Sequence, residues 1–251
     1  MAAPRIGAPP LRAAKAQSSR ASAQGLTTYQ PVGMKRKTSE SSSVPASAKQ
    51  SAKDKILEAA LSVIRAKGYA ATSVDDLCTA AGVTKGAFFH HFDSKEALAV
   101  AAADYWSQLT GAVFAEAPYH SHADPLDRVL GYIDFRKALL RGELPQFTCL
   151  VGTMVQETYD SSPAIRAACA RSITAHVANL EADLGAAMAK YRIKSSGSAA
   201  SLALYTQAVL QGAFIIAKAK DNSKEAVACV DHLRRYVELL FNRPQKKEKA
   251  A

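Results

Sequence analysis

The hydrophobic positions of this chain recur at the spacing of α-helices, and the pattern predicts an all-α fold of about nine helices. A first helix carries one apolar stripe, made of Ile56, Leu57, Ala60, Leu61 and Ile64. Gly68 follows the last of these positions, where a glycine commonly ends a helix because it adopts the left-handed conformation at little cost. The stripe therefore predicts a helix that packs one face on its neighbours.

Residues 72 to 96, TSVDDLCTAAGVTKGAFFHHFDSKE, contain two short helical patterns that meet at a glycine. The first has an apolar face at positions i, i+3 and i+7, formed by Val74, Leu77 and Ala81. Side chains suited to a capping box lie at its start, at Thr72, Ser73, Asp75 and Asp76. Gly82 is placed to end this helix, so we expect a sharp turn into the next one.

The second pattern runs from Lys85 to His91 and follows Thr84, which can cap it. A helix this short is not stable alone in water, so packing of Phe88 and Phe92 must hold it. Its other face is small, basic and aromatic, with Lys85, Gly86, Phe89 and His90. Such a face suits the major groove of DNA, because a lysine can contact phosphate or guanine and a glycine lets the backbone approach closely.

The next helix opens after Asp93 and Ser94 and carries Lys95 on its first turn. Free backbone N–H groups favour an anion there, so amides and ammonium together could bind a DNA phosphate. The segment thus predicts a helix-turn-helix whose DNA contacts come from Thr72, Ser73, Thr84, Lys85, Gly86, Phe89, His90 and Lys95. From spacing alone, the alternative is a helical hairpin in any all-α domain, with its lysines simply solvated.

Residues 56 to 105, above all AAGVTKGAFFHHFDSKEAL from Ala80 to Leu98, closely resemble the N-terminal domain of tetracycline-repressor-like (TetR/AcrR) regulators. The resemblance implies a DNA-binding domain, which we place at residues 51–97. One departure is Phe89, because many members carry a tyrosine there whose hydroxyl contacts the DNA backbone. Phe89 can still pack against sugar or a thymine methyl, while His90 either takes part of the polar role or is a surface residue.

Further helices are predicted from residue 98 to residue 241. Pro125 and Pro163 are each suited to the first turn of a helix, and the helix that starts at Pro163 is long. Gly197 marks a break before two last helices, at about 198–220 and 223–241. We expect these helices to form a domain for effector binding and dimerisation, as the resemblance implies.

The last two predicted helices carry more apolar side chains than terminal helices ordinarily need. These are Leu202, Tyr205, Val209, Ile216, Val227, Val230, Leu233, Val237, Leu240 and Phe241. Pairing with a second copy would bury them, and the family resemblance implies a homodimer of this kind, built as a four-helix bundle. The alternative is that these side chains form an intramolecular core.

The resemblance also implies a small-molecule pocket among the middle helices, whose occupancy changes the spacing of the DNA-binding heads. Candidate lining residues are Tyr105, Trp106, Tyr132, Phe135, Cys149, Met154 and Tyr159, each of which could instead be plain core. The expected function is therefore a ligand-responsive regulator, a repressor, that binds a palindromic operator in double-stranded DNA. An unidentified small-molecule effector would release it, and no cofactor is expected.

Cys149 offers an alternative mechanism, because FTCLVGTMVQE around it is similar to a segment of family members that sense electrophiles or oxidants. A thiolate there could be alkylated or oxidised, although a buried helical cysteine usually acts as a small hydrophobe. A weaker set is His120, His122 and Asp124, which could bind a metal but in a polar loop is more often solvated. We therefore expect no metal site.

The net charge of +10 comes from the two ends of the chain. Residues 1–50 hold eight Arg and Lys against one acidic residue, and residues 242–251 hold four against one, so the body is neutral. The first segment is expected to be a disordered basic tail: an arm that contacts phosphate through Lys35, Arg36 and Lys37, or a transit peptide. Translation from Met34 is a third interpretation.

Composition also limits the class of protein. The four cysteines contain no C-x-x-C pair, which fits a reducing cytoplasm, and no run approaches the roughly 18 apolar residues of a membrane span. A small all-α enzyme is disfavoured, because the C-terminal half has no Ser/His/Asp set, phosphate-binding glycine loop or Glu-x-x-His pair. An architectural DNA binder would need a basic body, and this body is neutral.

Overall fold

The computed structural model describes residues 50–193 and 197–243. The basic N-terminal tail, with Met34 and the cluster at residues 35–37, lies outside these ranges, as does most of the basic C-terminal tail. The predictions made for both tails therefore stay predictions.

Within these ranges the chain folds into ten α-helices and has no strand. The helices are α1 (Ala52–Lys67), α2 (Val74–Ala81), α3 (Lys85–His91), α4 (Lys95–Ala115), α5 (Pro125–Ala138), α6 (Leu144–Phe147), α7 (Leu150–Thr158), α8 (Pro163–Lys190), α9 (Ala199–Lys220) and α10 (Lys224–Leu240). A 3-10 turn at Pro118–Ser121 precedes α5. The all-α prediction is confirmed, and the four-residue α6 accounts for the difference from about nine helices.

Local sequence signals begin and end these helices. Side chains that accept a hydrogen bond from an exposed backbone N–H cap most helix starts, at Ser51, Ser73, Thr84, Ser94, Asp124, Ser162 and Ser198. Pro125 and Pro163 occupy first-turn positions. Gly82 ends α2 in the left-handed conformation, with φ 64° and ψ 40°. Because these signals act over a few residues, they can be recognised in the sequence alone.

Buried side chains form two hydrophobic clusters. The first joins α1–α4 to α7 and the start of α8, through Ile56, Ile64, Leu77, Phe88, Leu98, Leu150, Met154 and Ile165. The second joins α5, α8, α9 and α10, through Leu126, Ile133, Leu184, Leu210, Val230 and Val237. The expected domain boundary after residue 97 lies in the first turn of α4, and the first cluster continues past it. Helices α7 and α8 are thus in direct contact with the N-terminal helices.

Helix α9 is the one described helix whose length and apolar composition would allow it to cross a membrane, with a mean hydropathy of 1.5. It packs against α8 and α10, and its buried side belongs to the second hydrophobic cluster. A core helix of a soluble protein passes the same criterion, so this is weak evidence for a span.

Candidate functional site

Helix α3 is anchored by the packing of its aromatic side chains. Phe88 is fully buried, and its ring centroid lies 5.2 Å from that of Phe89 and 5.9 Å from that of Phe92. Packing against α1 and α2 supplies the stability that a seven-residue helix lacks by itself. Thr84 caps α3 by accepting a 3.1 Å hydrogen bond from the N–H of Ala87. The opposite side of α3 is left free to contact a partner.

That exposed side contains four of the predicted DNA contacts: Lys85, Gly86, Phe89 and His90. Phe89 is 53% exposed, so much of its ring is accessible to a partner. Gly86 has ample space, since a Cβ added there would come no closer than 3.7 Å to Thr84 Oγ1. A glycine in a helix costs about 1 kcal/mol relative to alanine, and nothing in this fold requires one there. The glycine therefore fits close approach by an external surface.

Lys85 is paired with an acidic residue of α2. Its Nζ lies 2.8 Å from Asp75 Oδ1, and both side chains are more than half exposed. The hydrogen bond to Asp75 raises the pKa of Lys85, so the lysine stays protonated. Because solvent screens an exposed pair of this kind, Lys85 can exchange Asp75 for a phosphate.

Ser73 forms the predicted capping box with Asp76. Its Oγ accepts a 3.1 Å hydrogen bond from the Asp76 N–H, and its own N–H donates to Asp76 Oδ2 at 2.8 Å. Lys67 Nζ lies 2.6 Å from the same carboxylate. Hydrogen bonds from Lys67 and then Ser73 hold the pKa of the Asp76 carboxyl well below its usual value. Ser73 thus orients the start of α2 and is exposed at the surface.

Thr72 and Lys95 are placed differently from the α3 residues. Thr72 is 1% exposed, and its hydroxyl donates a 2.6 Å hydrogen bond to the carbonyl of Gly68. Lys95 Nζ donates to the carbonyls of Tyr69 at 3.2 Å and Thr72 at 2.9 Å, and lies 4.4 Å from the Tyr69 ring centroid. Both side chains therefore hold the loop between α1 and α2. The sequence pattern does not reveal this, because their partners are backbone carbonyls of a loop.

The seven predicted pocket residues are scattered. Met154 belongs to the first hydrophobic cluster, while Tyr132 and Phe135 belong to the second. Tyr105 and Trp106 are half-buried on α4, where the Arg65 guanidinium lies 4.9 Å from the Trp106 ring centroid. Tyr159 follows the last residue of α7 and is 62% exposed. An apolar or aromatic residue type does not show which neighbour covers it, so the sequence could not separate these environments.

A histidine that sequence reasoning did not single out lies among the aromatic rings. Tyr132 Oη and His176 Nε2 are 2.9 Å apart, and the Phe114 ring centroid lies 4.7 Å from that of His176. Burial, with Arg136 close by, lowers the pKa of His176 to about 3. Arg136 lies over both Phe114 and Phe214, at 5.3 and 5.6 Å from their centroids. The imidazole is therefore neutral at physiological pH.

A small cavity of about 20 Å³ lies between α7 and α9, and Cys149 is the one predicted pocket residue that lines it. Cys149 caps α7, its Sγ accepting a 3.4 Å hydrogen bond from the N–H of Gly152. Across the cavity, Lys218 Nζ donates to Thr153 Oγ1 at 2.8 Å. Burial lowers the pKa of the Lys218 ammonium, although nearby Glu157 and Cys149 act in the opposite direction.

An exposed apolar face runs along α9 and α10. It consists of Leu204, Tyr205, Ile215, Ile216, Tyr236 and Leu239, each at least 40% exposed. The Tyr205 and Tyr236 ring centroids are 5.2 Å apart, so the two helices present one surface. Several apolar residues assigned to this face from the sequence, including Leu202, Val230 and Leu233, are instead buried in the second cluster. The sequence shows that these helices are apolar, but it does not show which apolar side chains are buried and which are exposed.

In the polar loop before α5, Asp124 makes hydrogen bonds within the fold. Asp124 caps α5 through a 2.8 Å hydrogen bond from the Leu126 N–H, and its Oδ2 accepts from Lys190 at 3.0 Å and Tyr191 at 2.6 Å. Burial opposes the charge on Asp124, yet these hydrogen bonds lower its pKa to about 2. In the described ranges, no group of three His, Cys, Asp or Glu side chains is arranged to hold a metal ion.

Two family models match the chain. Residues 56–102 match the model for bacterial regulatory proteins of the tetR family. Residues 125–232 match the model for the C-terminal domain of LmrA/YxaF-like transcriptional regulators. The first covers the helix-turn-helix and the second covers most of the remaining helices, so both parts of the molecule resemble regulators.

Curated relatives match over a short part of the chain. The HTH-type transcriptional regulator YerO of Bacillus subtilis is 39% identical over 54 residues, which is 22% of this chain and 19% of that protein. The negative transcriptional regulator IcaR of the biofilm operon icaADBC, from Staphylococcus aureus, is 37% identical over 46 residues, 18% of this chain and 25% of that protein. The match thus spans a quarter or less of either relative's length.

Solved structures are similar over most of the fold. A TetR-family regulator from Agrobacterium tumefaciens gives a TM-score of 0.66 at 22% identity, covering 74% of this chain and 96% of that one. The reduced form of NemR from E. coli gives 0.61 at 23% identity, with the same two coverages. At this identity the likeness concerns the fold.

Proposed function

Because the chain belongs to the tetR family of bacterial regulatory proteins, we propose that it is a transcriptional repressor. It binds a palindromic operator as a homodimer and leaves the DNA when a small-molecule effector binds. The protein acts in the cytoplasm, where its DNA and the reducing conditions suited to its free thiols are both found.

The observation that carries this proposal is the exposed side of α3. Lys85 brings a mobile positive charge, Phe89 offers an exposed apolar surface, and Gly86 opens a place for close backbone approach. In a major groove these groups contact phosphate, a thymine methyl or sugar, and the DNA backbone. Ser73, Thr84 and His90 contribute further exposed polar groups in the same helix-turn-helix.

The homodimer is supported by the exposed apolar face of α9 and α10. Large apolar side chains contiguous over two helices are disfavoured in water and favour burial against a second copy. A two-fold axis through this face would present two α3 helices to one side of DNA. The half-sites would then lie at least one helical turn apart, roughly 34–36 Å.

The proposal is tested at Gly86. Gly86→Ala has space for its methyl group, so it should keep or raise thermal stability while weakening operator binding, measured by gel shift on genomic fragments selected with the purified protein. Gly111→Ala is the matched control, since Gly111 lies exposed in α4 with nothing within 4 Å of an added Cβ. Equal DNA affinity in both variants and the wild type would reject α3 as the DNA-contacting helix.

A second candidate mechanism uses Cys149 as a sensor of oxidants or electrophiles. The supporting observation is its position: a half-buried thiol at the start of α7, beside Lys218, in the wall of a cavity. Modification there would add volume at a packed helix junction and displace α7. Cys149→Ser should abolish release of DNA by N-ethylmaleimide, whereas Cys229→Ser, at another half-buried thiol, should not. Normal release in the Cys149 variant would exclude this mechanism.

A further inference from the structure

The cavity between α7 and α9 contains polar groups that the fold leaves without partners. Thr148 is fully buried, and its Oγ1 has no hydrogen bond among the described residues. Gln211 Nε2 is buried in the same wall and also lacks an acceptor there. Native proteins rarely leave such groups unsatisfied, so each requires an explanation.

Three residues of the cavity wall supply hydrogen-bond donors. Gln211 offers an amide N–H, Thr148 a rotatable hydroxyl and Lys218 an ammonium. No acidic side chain is among the described residues that line the cavity. The complementary occupant is therefore an acceptor with negative charge. A carboxylate meets this requirement, since its two oxygens can accept several hydrogen bonds at once.

Gly152 shows that the arrangement depends on close packing. A Cβ added at Gly152 would clash with Gln211 Oε1, so the glycine is what lets the Gln211 amide lie against α7. The fold thus brings a buried amide to this wall and leaves its N–H unpaired. Phe214 and Ile215 complete the wall on the α9 side and give the cavity an apolar rim. Ile215 also belongs to the exposed apolar face of α9 and α10.

We propose that this cavity binds the carboxylate of a small organic acid, whose apolar part lies along Phe214 and Ile215 at the rim. The proposal names the site and chemical class of the effector, and in that respect it rests on the proposed ligand-responsive function. The cavity of about 20 Å³ has room for about one water molecule. Entry of a carboxylate therefore requires α7 and α9 to separate.

Helix α7 connects this movement to the DNA-binding helices. Gln156 lines the cavity, and the next residue, Glu157, accepts hydrogen bonds from the backbone N–H groups of Tyr69 and Ala70 in the loop before α2. The same helix thus contacts the acid at its start and the α1–α2 loop at its end. A carboxylate that displaces α7 acts on the orientation of α2 and α3.

The test is calorimetric titration of the full-length protein with sodium acetate, propionate, butyrate and benzoate at constant ionic strength, with sodium chloride as blank. At least one acid should bind saturably. Lys218→Met and Thr148→Val should each weaken binding about tenfold or more, because each removes a hydrogen-bond donor to a charged acceptor. Lys220→Met, on the exposed end of the same helix, should leave it unchanged. Absence of saturable binding by all four acids would overturn the proposal, as would unchanged binding in Lys218→Met.

Thermal melting without acid separates a binding role from a structural one. Thr148→Val replaces an unpartnered hydroxyl with a methyl group of similar shape, so the melting temperature should stay the same or rise. A lower melting temperature would mean that the hydroxyl serves the fold, through a bound water only, and would reject the site. Operator release is measured separately. Acid binding without release of the operator would keep the site but refute its role as the effector site. Operator binding by a protein that binds none of the acids would refute the site and leave the proposed DNA-binding function standing.

Discussion

The carboxylate of Glu157 on α7 accepts a 2.7 Å hydrogen bond from the backbone N–H of Ala70, in the loop between α1 and α2. A second bond, 3.3 Å long, comes from the N–H of Tyr69. The same carboxylate lies close to Gly68, which has a φ of 89°: a Cβ added to Gly68 would be 2.5 Å from Glu157 Oε1. Glu157 thus adds a polar contact between α7 and the loop before α2 to the apolar contacts of the first hydrophobic cluster.

Loss of this contact should speed amide exchange in the α1–α2 loop while lowering the free energy of unfolding of the whole protein only slightly. In Glu157→Gln the acceptor loses its charge, and because the bonds are exposed the free energy of unfolding should fall by only about 1 kcal/mol. Amide hydrogen exchange at residues 68–72 should become faster, as measured by mass spectrometry. Glu181→Gln, at an exposed acidic residue of α8, is the control. Unchanged exchange in the Glu157 variant would show that the loop is held by other contacts, such as those of Lys95.

Removal of Asp75 should strengthen DNA binding. Asp75→Asn frees Lys85 from its ion pair and removes a negative charge close to the proposed phosphate position. Operator affinity should rise, and the dependence of log affinity on log salt should become steeper by about one unit. Asp160→Asn, in the turn after α7, supplies a control with the same change of charge. Equal affinities in the two variants would contradict a phosphate contact by Lys85.

A charge in the exposed apolar face should prevent dimerisation. Leu239 is 68% exposed on α10, and Leu239→Asp would place a carboxylate in the proposed interface, where burial of an unpaired charge is costly. We expect analytical ultracentrifugation to show a dimer for the wild type and a monomer for this variant. Tyr159→Asp, which changes a 62% exposed residue just after α7, should remain dimeric. Dissociation by both substitutions, or by neither, would argue against this interface.

His176 should make the protein less stable in acid. Its folded-state pKa of about 3 lies below the ordinary value near 6.5, so the unfolded chain takes up a proton that the folded protein does not. The stability associated with the neutral imidazole is complete above about pH 6.5 and is lost as the pH falls towards 3. The slope can reach about 1.4 kcal/mol per pH unit.

This is measured by urea denaturation of the wild type and His176→Gln between pH 7.5 and 4.5. The glutamine can still form a hydrogen bond with the Tyr132 hydroxyl, but its side chain does not titrate. The difference in unfolding free energy between the two proteins should therefore shrink as the pH falls. His232→Gln, at an exposed position of α10, should show no such trend. Parallel pH profiles for the wild type and His176→Gln would disprove the assignment.

The secondary structure and the DNA-binding helices could be predicted from the sequence because their signals are local. The Ser73 cap, the Gly82 turn, the first-turn prolines and the stripe around Phe88 each act within one or two helical turns. Burial of Phe88 also leaves only the opposite side of a short helix, with Lys85, Gly86 and Phe89, to face outwards. For this element, periodicity alone determined which side chains are exposed.

Only the tertiary structure decided what the remaining side chains contact. Thr72 and Lys95 donate hydrogen bonds to backbone carbonyls of a loop. No residue pattern encodes these partners. Leu202 and Leu204 lie on opposite sides of one apolar helix, one buried and one 59% exposed, because α8 and α10 cover a single side of α9. The sequence determined where helices form, since that depends on neighbours along the chain. The cavity and its unpartnered Thr148 depend on neighbours brought together in space, and only the packing of α7 on α9 decided them.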